Sequence, residues 1–477
     1  MMLLVYNTLS RSKEEFKPLE GKKVNMFVCG QTVYDDAHLG HAKNYINFDV
    51  VSRWLRRSGY DVKYIQNITD VDDKIIKRAQ EEGTDPIELA RRFETRFMED
   101  MEAIGVKKNV DQYPRSHDYI DEIVSQIQLL LDKGYAYAID DDVYYDVSKF
   151  QDYTKLSGMR LDELEKHRIE PREGKRNSYD FSLWKAAKES EPSWKIELDV
   201  DGSTRAFNGR PGWHIEDTAI THAIFGKQYD LHGGAIELIF PHHTNEIAQA
   251  EAAFGVKPFV KYWLHSGIML IKGEKMSKSL KNFIRIRELL KRFDAEALRL
   301  LVLSTHYRKD FGYTEEFIKK AAARMNYLYA SFGIFYNMNE AKEGNVPEEI
   351  SRIAKDLDSG FAQAMNDDFN TPLALTRLSA AIDSLRIYAE ANKEIGKAAK
   401  DLAVNSVIGN AQVLGILSKD SYKRKLPDEA AHLIRERERL RKDGKFQEAD
   451  AIREKLKSEH SISLEDSEYG TIWYKAS

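Results

Sequence analysis

The sequence predicts a mixed α/β protein: a parallel-sheet core carrying an insertion, then an all-helical region, then a small α+β module. Three observations predict it. An apolar run ending in glycine, VNMFVCG at 24–30, leads into an amphipathic helix and a second apolar strand, the βαβ start of an open parallel sheet. From 321 to about 417 the pattern is helical almost throughout, with proline only at 347 and 372. The end of the chain pairs two charged helical stretches with a segment that reads as a hairpin.

In chain order, the first strand is followed by HAKNYINFDVVSRWLRRSG, which places Ile46, Val50, Val51, Trp54 and Leu55 on one helical face and Gly59 at its stop. DVKYIQNITD is the second strand, and the loop after the first lies where open α/β sheets bind ligands. DYIDEIVSQIQLLLDKG at 118–134 is a helix; 135–205 is polar, aromatic and irregular, an insertion rather than core. The α/β pattern resumes at GWHIEDTAITHAIFG and IELIFPHHTNEIAQAEAAFG. A weak linker, EAKEGNVP at 340–347, interrupts the helical region, and helices at 428–443 and 446–459 precede the hairpin SISLEDSEYGTIWYKAS.

Composition bounds the rest. With 477 residues the chain exceeds one compact core, and 42% hydrophobic with 31% charged residues is the balance of a soluble globular protein. No apolar run reaches the roughly eighteen residues of a membrane span, and the N-terminus lacks a secretory pattern. The single cysteine, Cys29, excludes an intrachain disulfide and fits a reducing cytoplasm. A net charge of −5 gives no global pull on a polyanion, so any nucleic-acid footprint must be local. Two basic stretches qualify: Lys272–Arg292 carries eight basic and two acidic residues, and Arg435–Lys445 six and three.

Two motifs carry chemistry. His38-Leu39-Gly40-His41 opens the first helix, where imidazoles join the backbone amides and helix dipole in favouring an anion, and the glycine lets a nucleotide lie close. Lys275-Met276-Ser277-Lys278-Ser279 sits in a Gly/Lys loop, a cationic clamp suited to a triphosphate whose charge moves to leaving pyrophosphate.

Together these motifs resemble class I aminoacyl-tRNA synthetases. FVCGQTVYDDAHLGH, NITDVDDKIIKRA, RPGWHIED, FPHHTNEIAQAEA, YWLHSG and KMSKSLKNF narrow the resemblance to cysteinyl-tRNA synthetases, and it extends over essentially the whole chain. It implies a Rossmann-like catalytic domain at 1–118 and 206–270, a connective insertion at 119–205 and a KMSKS and stem-contact region at 271–320. Beyond these it implies a helical anticodon-binding bundle at 321–420 and a C-terminal tRNA-binding module at 421–477. It implies ATP-dependent formation of cysteinyl-adenylate and transfer of cysteine to the 3′ end of its tRNA, in the cytoplasm, by a monomer or homodimer. His38, His41, Lys275 and Lys278 would be catalytic, with His38, Gly40, His41 and Lys278 on ATP, which brings magnesium. Cys29, Thr69 and Trp213 would face the amino acid.

The family holds one zinc ion through two cysteines, a histidine and a glutamate. Here the matching positions are Cys29, Asp217, His242 and Glu246, with aspartate where the second cysteine is expected. Zinc accepts a carboxylate oxygen, and the formal charge of the set is unchanged: +2 for the metal and −3 from Cys29, Asp217 and Glu246. The alternative is a weakened or lost metal site. Smaller departures are Gln31, Asp36, Ala235, Glu237 and Thr244. Two other functions compete: a cysteine ligase acting on a small amine, which would not need 321–477, and a non-catalytic paralogue, against which the two intact motifs argue.

Overall fold

The computed structural model describes residues 2–160, 172–189, 191–271, 273–275, 283–341, 345–423, 427–467 and 470–475. They fall into two compact units, 2–289 with 307–312, and 290–306 with 313–477. The boundary at 290 lies inside the stretch assigned from sequence to the KMSKS and stem-contact region.

The first unit opens with an antiparallel hairpin of β1 (Leu4–Asn7) and β2 (Ser12–Glu15). Then come β3 (Lys23–Thr32), α1 (Leu39–Arg57), β4 (Asp61–Thr69), α2 (Asp73–Glu82), α3 (Pro86–Ala103) and α4 (Ile120–Asp132). The insertion supplies β5 (Ala136–Ile139), β6 (Asp142–Tyr145), β7 (Phe181–Ala186), β8 (Trp194–Val200) and β9 (Ser203–Pro211). The unit closes with α5 (Ile215–Phe225), β10 (Tyr229–Ala235), α6 (Thr244–Phe254) and β11 (Val260–Ser266). Its central sheet is parallel, in the order β11-β10-β3-β4, so the carboxyl ends of β3, β4, β10 and β11 share one edge. Val24, Met26, Phe27, Val28, Val62, Tyr64 and Ile65 are buried on these strands, as a sheet covered on both faces requires.

The insertion is not irregular. Its strands form a five-stranded antiparallel sheet, order β5-β6-β7-β9-β8. The missed signals were local. In β8 Ile196, Leu198 and Val200 point inward while their neighbours are exposed, and Asp201-Gly202 turns the chain into β9 with both φ angles positive, at 51° and 81°. An Asp-Gly pair at positive φ is the strongest short-range hairpin signal. Nor does this sheet stand apart from the core: Leu183, Trp184, Ile196 and Leu198 belong to the same apolar cluster as Phe27 and Ile65 of the parallel sheet.

The second unit contains α7 (Ala295–Leu303), α8 (Glu315–Tyr336), α9 (Glu348–Asn366), α10 (Thr371–Ala391) and α11 (Lys397–Leu414). On α9 Ile350, Ala354, Leu357, Phe361 and Met365 make a buried stripe at helical spacing. Its last part pairs α12 (Asp428–Lys442) and α13 (Phe446–His460) with a hairpin, β12 (Ile462–Ser467) and β13 (Gly470–Lys475). Ala430, Leu433, Ile434, Leu456, Ile462 and Leu464 form a separate small core there. No described helix is long and apolar enough to cross a membrane.

Candidate functional site

The parallel pairing of β3 with β4 shifts register between Val28 and Gln31, which frees Cys29 and Gly30 from the regular ladder at the ligand-facing edge. Gly30 is required there, since a Cβ would fall 1.7 Å from the Asn67 carbonyl oxygen. Its N–H donates to Asn67 Oδ1 at 2.6 Å. That bond orients the amide, so Asn67 Nδ2 donates to Asp217 Oδ1 at 2.6 Å. Asp217, in the first turn of α5, therefore has one oxygen held and presents the other, Oδ2, to His242.

His242 lies in the irregular turn Ile239–His243 that leads into α6, and Glu246 follows one helical turn later on the same face. Around His242 Nε2 stand Cys29 Sγ at 3.5 Å, Asp217 Oδ2 at 3.1 Å and Glu246 Oε1 at 3.1 Å. The structure thus brings together Cys29, Asp217, His242 and Glu246. All four are buried, with Glu246 fully so. His242 Nδ1 is 2.9 Å from His214 Nδ1, and its ring stacks on Trp213 at 4.7 Å.

The electrostatics of this cluster are unbalanced. Among the described residues neither oxygen of Glu246 has a hydrogen-bond partner. The 3.1 Å approach of His242 Nε2 is therefore proximity without hydrogen-bond geometry, since one N–H cannot point at three acceptors. No lysine or arginine pairs with Asp217 or Glu246 among the described residues. Burial, then Asp217 and Glu216, drives the Glu246 carboxyl well above the usual range. Burial, then Asp217 and Glu246, does the same to the Cys29 thiol. An unpaired buried charge costs several kcal/mol, and a cation at the centre of the cluster would offset that cost. One thiolate, one imidazole and two carboxylates are a donor set that zinc accepts. A ring nitrogen bonded to a neighbouring group, as His242 Nδ1 is to His214, is the usual support for a ligating imidazole. The residues present fit the metal.

A cavity of about 510 Å³ runs from Cys29, Thr69 and Trp213 to His38, Gly40 and His41. At that far end His38 is the N-cap of α1. Its Nδ1 accepts the Gly40 N–H at 3.1 Å, and His41 Nδ1 accepts the His38 N–H at 3.3 Å. Both Nδ1 atoms act as acceptors, which puts the protons on Nε2 and leaves two N–H donors beside the first turn of α1. The rings stack at 3.8 Å. Burial lowers His38 to a pKa of about 4 and His41 well below its ordinary value, so both are neutral donors at neutral pH.

Lys275 pairs with Leu270, and Glu274 with Ile271, in a short antiparallel pairing just beyond Met269, which lines the cavity. Lys278 lies outside the described residues. Sequence reasoning missed several neighbours. Thr69 Oγ1 donates to buried Glu216 at 2.6 Å. Lys74 Nζ sits 5.5 Å from the Trp213 ring and 5.7 Å from the Tyr34 ring, on the cavity wall. Asn67 and Glu216 adjoin residues that were noticed (Thr69 and Asp217), so adjacency to a candidate was the available signal.

Part of the basic charge is engaged. Arg285 and Arg287 lie against Asp36 at 3.3 and 3.5 Å, and Arg437 is buried in a two-point pair with Asp466, which Arg441 also reaches at 3.3 Å. Only the remaining cations of each stretch are candidates for phosphate contacts.

Comparison with known proteins gives one answer. Residues 15–323 match the family model "tRNA synthetases class I (C) catalytic domain", and 360–418 match "DALR domain". The chain is 44% identical over 483 residues to a cysteine--tRNA ligase of Thermococcus gammatolerans, covering 99% of each. It is 42% identical over 499 residues to one of Geobacter metallireducens, again covering 99% of each. Among solved structures, Mycobacterium tuberculosis methionyl-tRNA synthetase in complex with methionyl-adenylate superposes with a TM-score of 0.59 at 16% identity, over 83% of this chain and 90% of that one, a likeness of fold.

Proposed function

The chain belongs to the cysteine--tRNA ligases, class I aminoacyl-tRNA synthetases, and from that premise we propose which of its residues carry the reaction. The ligation has two steps. The cysteine carboxylate attacks the α-phosphate of ATP, releasing pyrophosphate and forming cysteinyl-adenylate. A hydroxyl of the terminal ribose of tRNA then attacks the adenylate carbonyl, releasing AMP.

Cys29, Asp217, His242 and Glu246 would hold one zinc ion. When bound, zinc supplies a soft Lewis acid that accepts the substrate's thiolate and discriminates against a hydroxyl. The chain's own groups do the rest. Trp213 and Thr69 wall the amino-acid end of the cavity. Asn67 holds Asp217 by one oxygen. At the other end, the Nε2–H donors of His38 and His41 and the first-turn amides of α1 stabilise phosphate charge as it develops, with Gly40 leaving room for the nucleotide. Lys275 and Lys278 would take the charge of the leaving pyrophosphate, and magnesium accompanies ATP. For tRNA we assign the cations of Lys272–Arg292 not held by carboxylates to the acceptor end, and 321–477 to the anticodon side.

The observation that carries this reading is the meeting of four donor side chains at one end of a cavity whose other end holds two neutral imidazole donors. Pyrophosphate exchange with cysteine, serine and a small amino-acid panel, alongside elemental analysis, tests it. About one zinc per chain and exchange confined to cysteine are expected. Absence of metal, with cysteine activation unaffected by a strong chelator, would overturn the metal assignment.

A further inference from the structure

The segment Phe283–Arg287, which follows the lysine motif, is pinned to the segment that opens the histidine motif. The Leu39 N–H donates to the Ile284 carbonyl at 3.0 Å and the Ile286 N–H to the Ala37 carbonyl at 2.9 Å. His38 and Arg285 form an antiparallel bridge, and the Phe283 ring lies 5.0 Å from that of His38. At the centre of this junction is one carboxylate. The Asp36 side chain is 6% exposed and takes two parallel bonds from Arg96 of α3, Nε to Oδ1 and Nη2 to Oδ2. From the other side Arg285 Nε stands 3.3 Å from Oδ2 and Arg287 Nε 3.5 Å from Oδ1. Arg287 Nη2 continues to Asp100 of α3 at 3.2 Å and to the Arg96 carbonyl at 2.8 Å. Asp36 and Arg285 also line a cavity of about 260 Å³ with His38 and His41.

We propose that Asp36 is a positioning residue for adenylate formation: its carboxylate ties α3, the histidine motif and the segment leaving the lysine motif into one block. Three guanidiniums meet at this carboxylate. Without it they lose their shared partner, and the junction keeps the two backbone bonds, the Arg285–Asp35 and Arg287–Asp100 contacts and the Arg287 bond to the Arg96 carbonyl. The spacing between the imidazole donors and the segment Phe283–Arg287 then relaxes. A displacement of about an ångström is enough to cost rate when reacting groups must align. The proposal rests on the reading that the two motifs act on ATP.

The test is pyrophosphate exchange by the full chain with ATP varied, comparing wild type with Asp36→Asn, Asp36→Glu, Arg285→Gln and His41→Ala. Asp36→Asn keeps shape and removes charge; it should raise KM for ATP about tenfold, the scale of one charge-assisted hydrogen bond, with KM for cysteine and zinc content unchanged. Asp36→Glu should recover most of the loss. Arg285→Gln, at a half-exposed site, should raise the same constant, and combining it with Asp36→Asn should add little. The proposal is overturned if Asp36→Asn and Arg285→Gln leave KM for ATP at the wild-type value, or if they lower thermal stability alone. Should His41→Ala also leave exchange intact, the reading of the motif itself fails, separately from the role of Asp36.

Discussion

The two ends of the main cavity are built with opposite electrical deficits. At the Cys29 end, two carboxylates and a thiol crowd one imidazole nitrogen with no lysine or arginine among the described residues to balance them. At the His38 end, two neutral imidazoles turn their N–H groups toward the space beside a helix N-terminus. Around His242 Nε2 acceptors outnumber donors, and beside the first turn of α1 the two imidazoles and the helix amides supply donors. A buried site with an excess of acceptors is completed by a cation, and one with an excess of donors by an anion. The sign of what is missing supports the proposed placement of a cation at one end and of phosphate at the other.

The largest expected effect comes from emptying the acidic end. Removing the metal with a chelator should collapse the preference for cysteine over serine from about 10⁴ to about 10², the level that shape alone sustains; exchange assays with the two amino acids measure it. Nucleotide affinity should barely change, and a parallel loss of ATP binding would break the independence of the two ends. Next, Asp217→Ala should lower cysteine activation about a hundredfold with ATP binding retained, read by exchange kinetics and by zinc content; an unchanged rate would remove Asp217 from the site. The mirror experiment, His41→Ala, should cost about a hundredfold in exchange, as expected for one lost charge-stabilising donor, while zinc content stays at the wild-type level.

A smaller effect sharpens the contrast through pH. Burial holds His38 at a pKa of about 4, against roughly 6.5 in an unfolded chain. Between those values the unfolded chain binds the extra proton. The contribution of His38 to folding stability is therefore intact above about pH 6.5 and lost as pH falls toward 4. Thermal unfolding of a His38→Gln variant should show a shallower decline than wild type over that window. The smallest effect is Asp217→Cys, which should keep activation within about threefold, because a thiolate preserves the charge of the donor set. A large loss there would mean that the pocket is shaped around a carboxylate.

Much of the site was legible because its residues declare themselves by type. His38, Gly40 and His41 stand at the start of an evident helix, and His242 and Glu246 are spaced one turn apart. What escaped were residues whose role is to aim others. Asn67 reads as a strand residue, yet its side chain connects Gly30 to Asp217. Lys74 sits in a helix's first turn, and only the packing of Trp213 and Tyr34 shows that it faces the cavity. The insertion reads as irregular because its polar surface residues mask an alternation that its Asp201-Gly202 turn announces.

The sequence by itself determined the βαβ start, the helical second half and the chemical identity of the donors, because periodicity and residue type are local properties. Only the tertiary structure decided that Cys29, Asp217 and Glu246 gather around His242 Nε2. It likewise decided that Arg437 is consumed by Asp466, and that Asp36 gathers three arginines. Burial and pairing set how a charge behaves, and both depend on residues brought together from distant parts of the chain, which no local pattern encodes.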